Sequence, residues 1–595
     1  MFVGCVALAT SCDLTENVQV KADKSMIFGS KSGLELYSNS FYKALPTLKN
    51  GFMQDKMCDV GAVSNTDTFI KQGAYNTETA TSWSWGALKN INYFIDGCND
   101  PKYCTVDDNT RDNYLGIARW FRAWFYYDKL TTYGEVPWFP HDIQSYQNDV
   151  MYKDRDSRDV IIRNLIADLD FAYEHIQATS STGSSTLTRW AAAALKSRVC
   201  LFEAAYRRYH NLTELEITPE ELYREAAKAA KLVIDNSGCS LNTATGKKGA
   251  YRDLFYNETP LTQEVILAVC ANEKSGIFGE QNWWFNARSY GLCWSLVRSF
   301  VHTYLKLDGT PFTDAADYAV KSFTEEMEGR DLRLEQTVRG RNFLWDGKTA
   351  VADIKNLSLT GYQVIKYTLD ESKYDGGAKN INSIPLIRYA EVLLNYAEAQ
   401  AELGVITDSE WALTVGALRK RAGITGGTET LPTTVDGYLQ RTFYPDVTSP
   451  VLLEIRRERA IELVAEGMRF DDLRRWKCGS LMETLPWSGI HIPGLEQPVD
   501  VNGDGVDDYY FTEGEVTAAP AAYRDIAIRV NQDGVGLYAE ANAVAGYDLV
   551  YKTGAGDRYW YPDGRQYLYP IPAKVIRDYK NAGYTISQNP YWDNE

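Results

Sequence analysis

The sequence predicts a mainly α-helical protein, in which four helical hairpins form a superhelical frame carrying long loop-rich insertions and a few short strands. Three observations predict it. Apolar residues recur at helical spacing in eight segments that fall into consecutive pairs. Both helices of one pair contain runs of alanine, whose small side chains allow close helix contact. The text between the pairs is rich in Gly, Tyr, Trp and Asn and shows no sustained period. With 595 residues, 45% hydrophobic and 24% charged, the chain has an ordinary globular composition and ample material for a core.

Taken in order, residues 111–130 (RDNYLGIARWFRAWFYYDKL) place Leu115, Ala118, Phe121, Ala123, Phe125 and Leu130 near helical spacing, and Gly134 with Pro137 behind it supplies the stop. The partner, 160–176, carries Leu165, Leu169 and Ala172 on one face. A second pair joins 189–207, which opens on Trp190 and four alanines, to 220–234, where Ala226, Ala227, Ala229 and Ala230 recur. Residues 388–403 and 409–421 make the third pair, and 451–466 with 470–476 the fourth. Such pairs are tetratricopeptide-like: neighbours stack to bury one continuous core. They are not in tandem, because a mixed segment separates residue 240 from 388 and a second loop-like region covers 483–569.

Charge and composition exclude several functions. Lys and Arg number 62 against 79 Asp and Glu, a net charge of −17, so counterion release cannot drive binding to nucleic acid. Five histidines, scattered from His141 to His491, do not make a multi-histidine metal centre. Ten cysteines without a C-x-x-C pair give neither a disulfide scaffold nor a zinc ribbon, although Cys98 and Cys104 are spaced to close a small loop. The 40 Tyr and 15 Trp against 21 Phe favour wet surfaces, where a flat apolar face and a polar tip are both used. At the start, the apolar run ends in Ala9-Thr10-Ser11-Cys12, the pattern of a bacterial lipobox with Cys12 as the acylated residue. No later segment holds about 18 uninterrupted apolar residues, so attachment to a membrane rests on lipid at Cys12.

Several blocks in order along the chain carry a family resemblance. ARWFRAWFYYDKLTTYGEVPWF (118–139), RYAEVLLNYAEAQAELG (388–404), LRKRAG (418–423), VLLEIRRERAIELVAEGMRFDDLRRW (451–476), YLYPIP (567–572) and QNPYW (588–592) resemble the recurring blocks of the SusD/RagB family. The resemblance implies a non-catalytic, lipid-anchored protein on the outer face of a bacterial outer membrane. It would cap a SusC-like, TonB-dependent barrel and capture oligosaccharides, or less often peptides, for import. It divides the chain into a signal remnant at 1–12, an N-terminal region at 13–240 with two hairpins, a ligand-binding insertion at 241–387, and a C-terminal region at 388–595 with the other two hairpins.

Three constellations bear on chemistry. The acids Glu454, Glu458, Glu462, Glu466, Asp471 and Asp472 share helices with Arg456, Arg457, Arg459, Arg469, Arg474 and Arg475. A glycosidase needs two carboxylates held about 5–9.5 Å apart across a cleft, whereas interleaved acids and arginines at helical spacing predict structural ion pairs. Asp500, Asn502, Asp504, Val506 and Asp508, with Gly505 at the turn, follow the ligand positions of a calcium loop, although Phe511 stands where a bidentate Glu belongs. A structural calcium ion is therefore expected. For sugar binding, an exposed aromatic face must lie beside amide, carboxylate or guanidinium groups. The segments that supply this mixture contain Asn65, Asp67, Trp83 and Trp85, and then Trp283, Trp284, Arg288, Tyr290 and Cys293, with Trp345 in reserve.

Overall fold

In the computed structural model residues 24–49, 53–286 and 293–593 are described. The expected helices form, and the first two pairs close as hairpins. Asp108–Tyr133 packs on Arg158–His175, Arg189–Tyr209 on Pro219–Asn236, and Tyr389–Glu402 bridges from the second pair to Pro450–Glu462. Arg469–Arg475 folds back onto Arg189–Tyr209, so the pairs stack in one continuous frame. The helix starts are chemically specified. Asp107 and Thr188 accept hydrogen bonds from backbone amides three residues on, Thr218 forms a capping box with Glu221 ahead of a Pro at the first turn, and Ser449 caps the helix that opens on Pro450. Gly134 closes the first helix at φ +75°, a conformation that costs little only for glycine.

The alanine runs do what their size allows. Ala191, Ala192, Ala193 and Ala194 are buried, as are Ala226, Ala227, Ala229 and Ala230 on the facing helix. Leu165, Leu169 and Ala172 are also buried, whereas Phe125 is half-buried and faces Trp85. One large apolar core runs from Phe28 to Trp592, so the N-terminal, middle and C-terminal regions share an interior.

Two helices differ from expectation. The 409–421 segment is split into Asp408–Leu413 and Val415–Arg421 at Thr414, whose hydroxyl donates to Glu410 O at 2.6 Å. A side chain at Gly416 would collide with Thr428 O, so the chain bends where two backbones touch. The 451–466 segment stops at Glu462, because Ala465 and Gly467 take left-handed φ values of 62° and 81°. Buried Lys366 then donates to Val464 O at 2.7 Å, placing a cation at the carbonyl end of the helix.

The mid-chain insertion is closed at its base by the antiparallel pairing of Val265–Val269 with Ile384–Arg388. The later loop region holds two three-stranded sheets. One runs in the order 537–541, 547–551, 488–492, and the other pairs 509–512 with both 527–529 and 498–499. The last segment returns to the start of the frame. Tyr569 stacks on Phe69 at 3.9 Å, Asn589 donates to Tyr133 O at 3.0 Å, and buried Trp592 donates to Leu568 O at 3.1 Å. The YLYPIP and QNPYW blocks thus bracket each other, with Gln588 bonded to both the N–H and the C=O of Ile571.

Candidate functional site

Trp83 and Trp85 sit in the extended segment before the Gly86–Cys98 helix and meet edge to face at 5.3 Å. Trp83 also packs on Tyr133 at 4.9 Å, and Trp85 on Phe139 at 5.2 Å. Both remain half-buried and line a cavity of about 1140 Å³ together with Lys89, Asn92, His141 and Tyr152. The opposite wall comes from the C-terminal helix Ala573–Asn581, through Lys574, Val575, Arg577 and Tyr579. The cavity therefore offers indole and phenol surface with cationic and amide groups at its edge. Asn65 is exposed, whereas Asp67 caps the turn Thr68–Ile70 by accepting from Phe69 N at 2.9 Å and pairs with Lys56 at 2.5 Å. Neither lines this cavity.

Trp283 and Trp284 lie on the short helix Gln281–Asn286 with ring centroids 5.4 Å apart, and both are half-buried. Trp284 donates from its indole N–H to Lys49 O at 2.6 Å, and Lys49 pairs with Glu280 at 3.4 Å. The cavity bounded by Trp83 and Trp85 is not lined by Trp283 or Trp284, so the two aromatic segments do not build one concavity. Cys293 is 4% exposed, in a left-handed conformation, with its thiol donating to Asn356 O, which leaves it no face for a ligand. Arg288, Tyr290 and the lipobox Cys12 lie outside the described residues. Trp345 is half-buried on a two-residue strand, where the Arg339 guanidinium covers it at 5.1 Å.

The acid-rich block is a buried ion-pair lattice. Glu462 accepts from Arg421, from Arg388 at 3.0 Å and from Arg333 at 2.9 Å, while Arg388 also binds Glu264 and Glu466. Glu458 joins Arg333 to Arg419, and Asp472 joins Arg459 to Arg475. Burial disfavours the charged carboxylate of Glu462, but the guanidiniums of Arg421, Arg388 and Arg333 outweigh it and hold its pKa far below the ordinary range. None of the block's acids lines the 1140 Å³ cavity or a second cavity of about 1110 Å³ near Trp560 and Tyr591. They do not face each other across a cleft as a hydrolytic pair must.

In the 500–508 loop the carboxylates turn onto the loop's own amides. Asp500 accepts from Gly503 N at 2.7 Å and Gly505 N at 2.8 Å, Asp504 from Val506 N at 2.9 Å, and Asp508 from Val501 N at 2.8 Å. Asn502 bridges to Asp504, and Val506 is exposed with its backbone at the seventh position. Burial raises the Asp508 pKa. The oxygen donors suit a hard cation, and each carboxylate keeps free lone pairs. Among the described residues, however, no three acidic, His or Cys side chains are arranged to hold a metal ion, so an ion requires these side chains to turn inward. Cys98 and Cys104 are both free thiols, and burial pushes the Cys98 thiol up. Among the described residues no helix is long and apolar enough to cross a membrane.

A model of the SusD family matches residues 263–592, which is more than half of the chain. The chain belongs to the SusD family. It is similar to the SusD-like protein P38 of Formosa agariphila, with 25% identity over 378 residues, covering 61% of this chain and 66% of that protein. Among solved structures, a SusD-like carbohydrate binding protein from Bacteroides fragilis aligns with a TM-score of 0.66 at 18% identity, over 94% of this chain and 99% of the other. A SusD homolog from Bacteroides thetaiotaomicron aligns with a TM-score of 0.62 at 16% identity, over 96% and 99%. At these identities the structural likeness shows the fold. The family match itself covers the third and fourth hairpins, most of the first loop-rich region and all of the second in this SusD family member.

The sequence left some cavity residues unmarked. Lys574, Arg577 and Tyr579 reach the Trp83 wall from nearly 500 positions away, carried by the return of the C-terminal segment, as in the backbone bond from Ala573 N to Thr77 O at 2.9 Å. Only the strong amphipathic pattern of 573–581 signals that this helix lies on a surface.

Proposed function

We propose that this SusD family protein is a non-catalytic glycan-binding lipoprotein, held by lipid at Cys12 on the outer face of an outer membrane. There it captures oligosaccharides for import through a SusC-like TonB-dependent transporter. Family membership carries the proposal, since a fold relative is described as a carbohydrate binding protein. Half-buried indoles at Trp83, Trp85, Trp283 and Trp284 support it, because a sugar's apolar C–H face stacks on such rings. The pairing of the acid-rich block with arginines supports the non-catalytic part. A structural calcium ion in the 500–508 loop belongs to the same proposal.

Anchoring is tested in cells lacking the transporter. Cys12→Ala is expected to move the protein from the membrane to the soluble fraction, because among the described residues no helix is long and apolar enough to span a bilayer. Retention in the membrane contradicts the lipid anchor. Glycan binding is tested by calorimetry against a panel of neutral oligosaccharides, with failure of every panel member counting against the reading.

A further inference from the structure

Behind Trp283 lies a relay of asparagines that ends on one carboxylate. Asn382, fully buried, donates to Phe255 O at 2.7 Å and Tyr367 O at 2.8 Å, and accepts from Asn380 at 3.1 Å. Asn380 in turn donates to Asn282 Oδ1 at 2.7 Å, and its own oxygen accepts from Asn282 N at 2.8 Å. Asn282 Nδ2 reaches Asp375 Oδ1 at 3.1 Å, and Asn286 Nδ2, one helical turn on, reaches the same oxygen at 3.2 Å. Gln363 donates to Asn286 Oδ1 at 3.1 Å and so fixes which atom of that amide faces Asp375.

Two amides thus hold Asp375 Oδ1, while Oδ2 makes no hydrogen bond among the described residues and the residue is half-exposed. The Trp283 indole is a neighbour of Gly377, two residues further on, where an added Cβ would sit 3.9 Å from its ring. An outward acceptor is therefore held rigidly beside an aromatic ring. An ionised carboxylate only accepts, so the partner it selects is a hydroxyl rather than an anion.

We propose that Asp375 is the specificity-determining acceptor of this surface, taking the hydroxyl hydrogens of a neutral sugar ring that stacks on Trp283. This rests on the reading of the protein as a glycan binder. Ordering of Oδ1 by the relay lowers the entropy lost when the sugar binds.

Asp375→Asn is the informative change, since its side-chain oxygen still accepts from Asn282 and Asn286 while the outward atom becomes a donor. The probes are maltohexaose, laminarihexaose, xylohexaose, mannohexaose and the acidic hexagalacturonate, titrated calorimetrically at pH 7. At least one neutral probe is expected to bind, hexagalacturonate to fail, and Asp375→Asn and Trp283→Ala each to weaken the neutral probe by tenfold or more. Wild-type affinity is also expected to fall as the pH drops towards 4, because burial raises the Asp375 pKa above the ordinary 3.8, and to be flat in Asp375→Asn. Wild-type affinity in Asp375→Asn with loss in Trp283→Ala overturns the Asp375 assignment and leaves glycan binding standing. So does a pH-independent wild-type affinity. Binding unaffected by either change places the site elsewhere and also overturns the proposal, as does tighter binding of hexagalacturonate. Failure of every probe on the wild type counts against the glycan reading itself and removes the proposal with it.

Discussion

Replacing Glu462 with Gln tests whether the acid-rich helices are structural. The Glu462 side chain is fully buried and its carboxylate is shared by Arg421, Arg388 and Arg333. Removing one partner of a buried pair costs about 3–5 kcal/mol, mostly through the uncompensated charge left behind. Here Arg388 keeps Glu264 and Glu466, Arg333 keeps Asp331 and Glu458, and Arg421 keeps Glu264. No guanidinium is stripped bare, which places the expected loss near ~3 kcal/mol. Urea titration should show a lower midpoint with an unchanged slope. A loss below ~1 kcal/mol, the range of exposed pairs, would refute the reasoning. The pH dependence has a definite sign. Since the arginines hold the folded-state pKa below the ordinary value of 4.5, the contribution is complete above that value and is lost as the pH falls beneath it. Glu462→Gln should therefore flatten part of the acid limb.

Asp55 titrates the other way. Its buried carboxyl is pushed up to about 7, with burial the largest cause and outweighing the backbone amides of Gly467 and Arg469. The folded protein therefore binds this proton between pH 3.8 and about 7, so stability should rise as the pH falls through that window. Asp55→Asn should reduce the rise, as followed by melting temperature at pH 5.5 and 8, and an unchanged profile would reject this assignment. For the 500–508 loop, calcium at tenfold its dissociation constant should add about 1.4 kcal/mol. Melting with calcium and with chelator should differ in the wild type and coincide in Asp504→Ala, whereas coincident wild-type curves would show a turn held only by its own amides.

The frame was legible because it obeys local rules. Alanines at 191–194, 226–227 and 229–230 mark close helix contact, and helical spacing placed starts that the caps at Asp107, Thr188, Thr218 and Ser449 fix within a few residues. The acid-rich block was legible as ion pairs for the same reason, since spacing places acids and arginines on adjoining faces. Thr414 and Ala465 were not, because their breaks depend on a backbone approach at Thr428 and on a lysine from residue 366. Trp83 and Trp85 could be picked out as aromatic, but their half-burial against Tyr133 and Phe139 depends on helices folded elsewhere. Asp375 carries no local signal at all: it is an ordinary acid in a Gly-rich turn until Asn282 and Asn286 meet it across about 90 residues.

The central claim is glycan binding without hydrolysis, and one measurement addresses both halves. Calorimetry with the best-bound neutral oligosaccharide is run on the wild type and on Trp83→Ala, Trp85→Ala and Trp284→Ala, and the recovered sugar is then analysed for new reducing ends. The sugar should be recovered unchanged, with a loss of about 1 kcal/mol, roughly fivefold in affinity, for each ring that stacks, in at least one variant that still folds. Cleaved sugar from the wild type, or wild-type affinity in all three variants, in their combination and in Trp283→Ala, would contradict the claim.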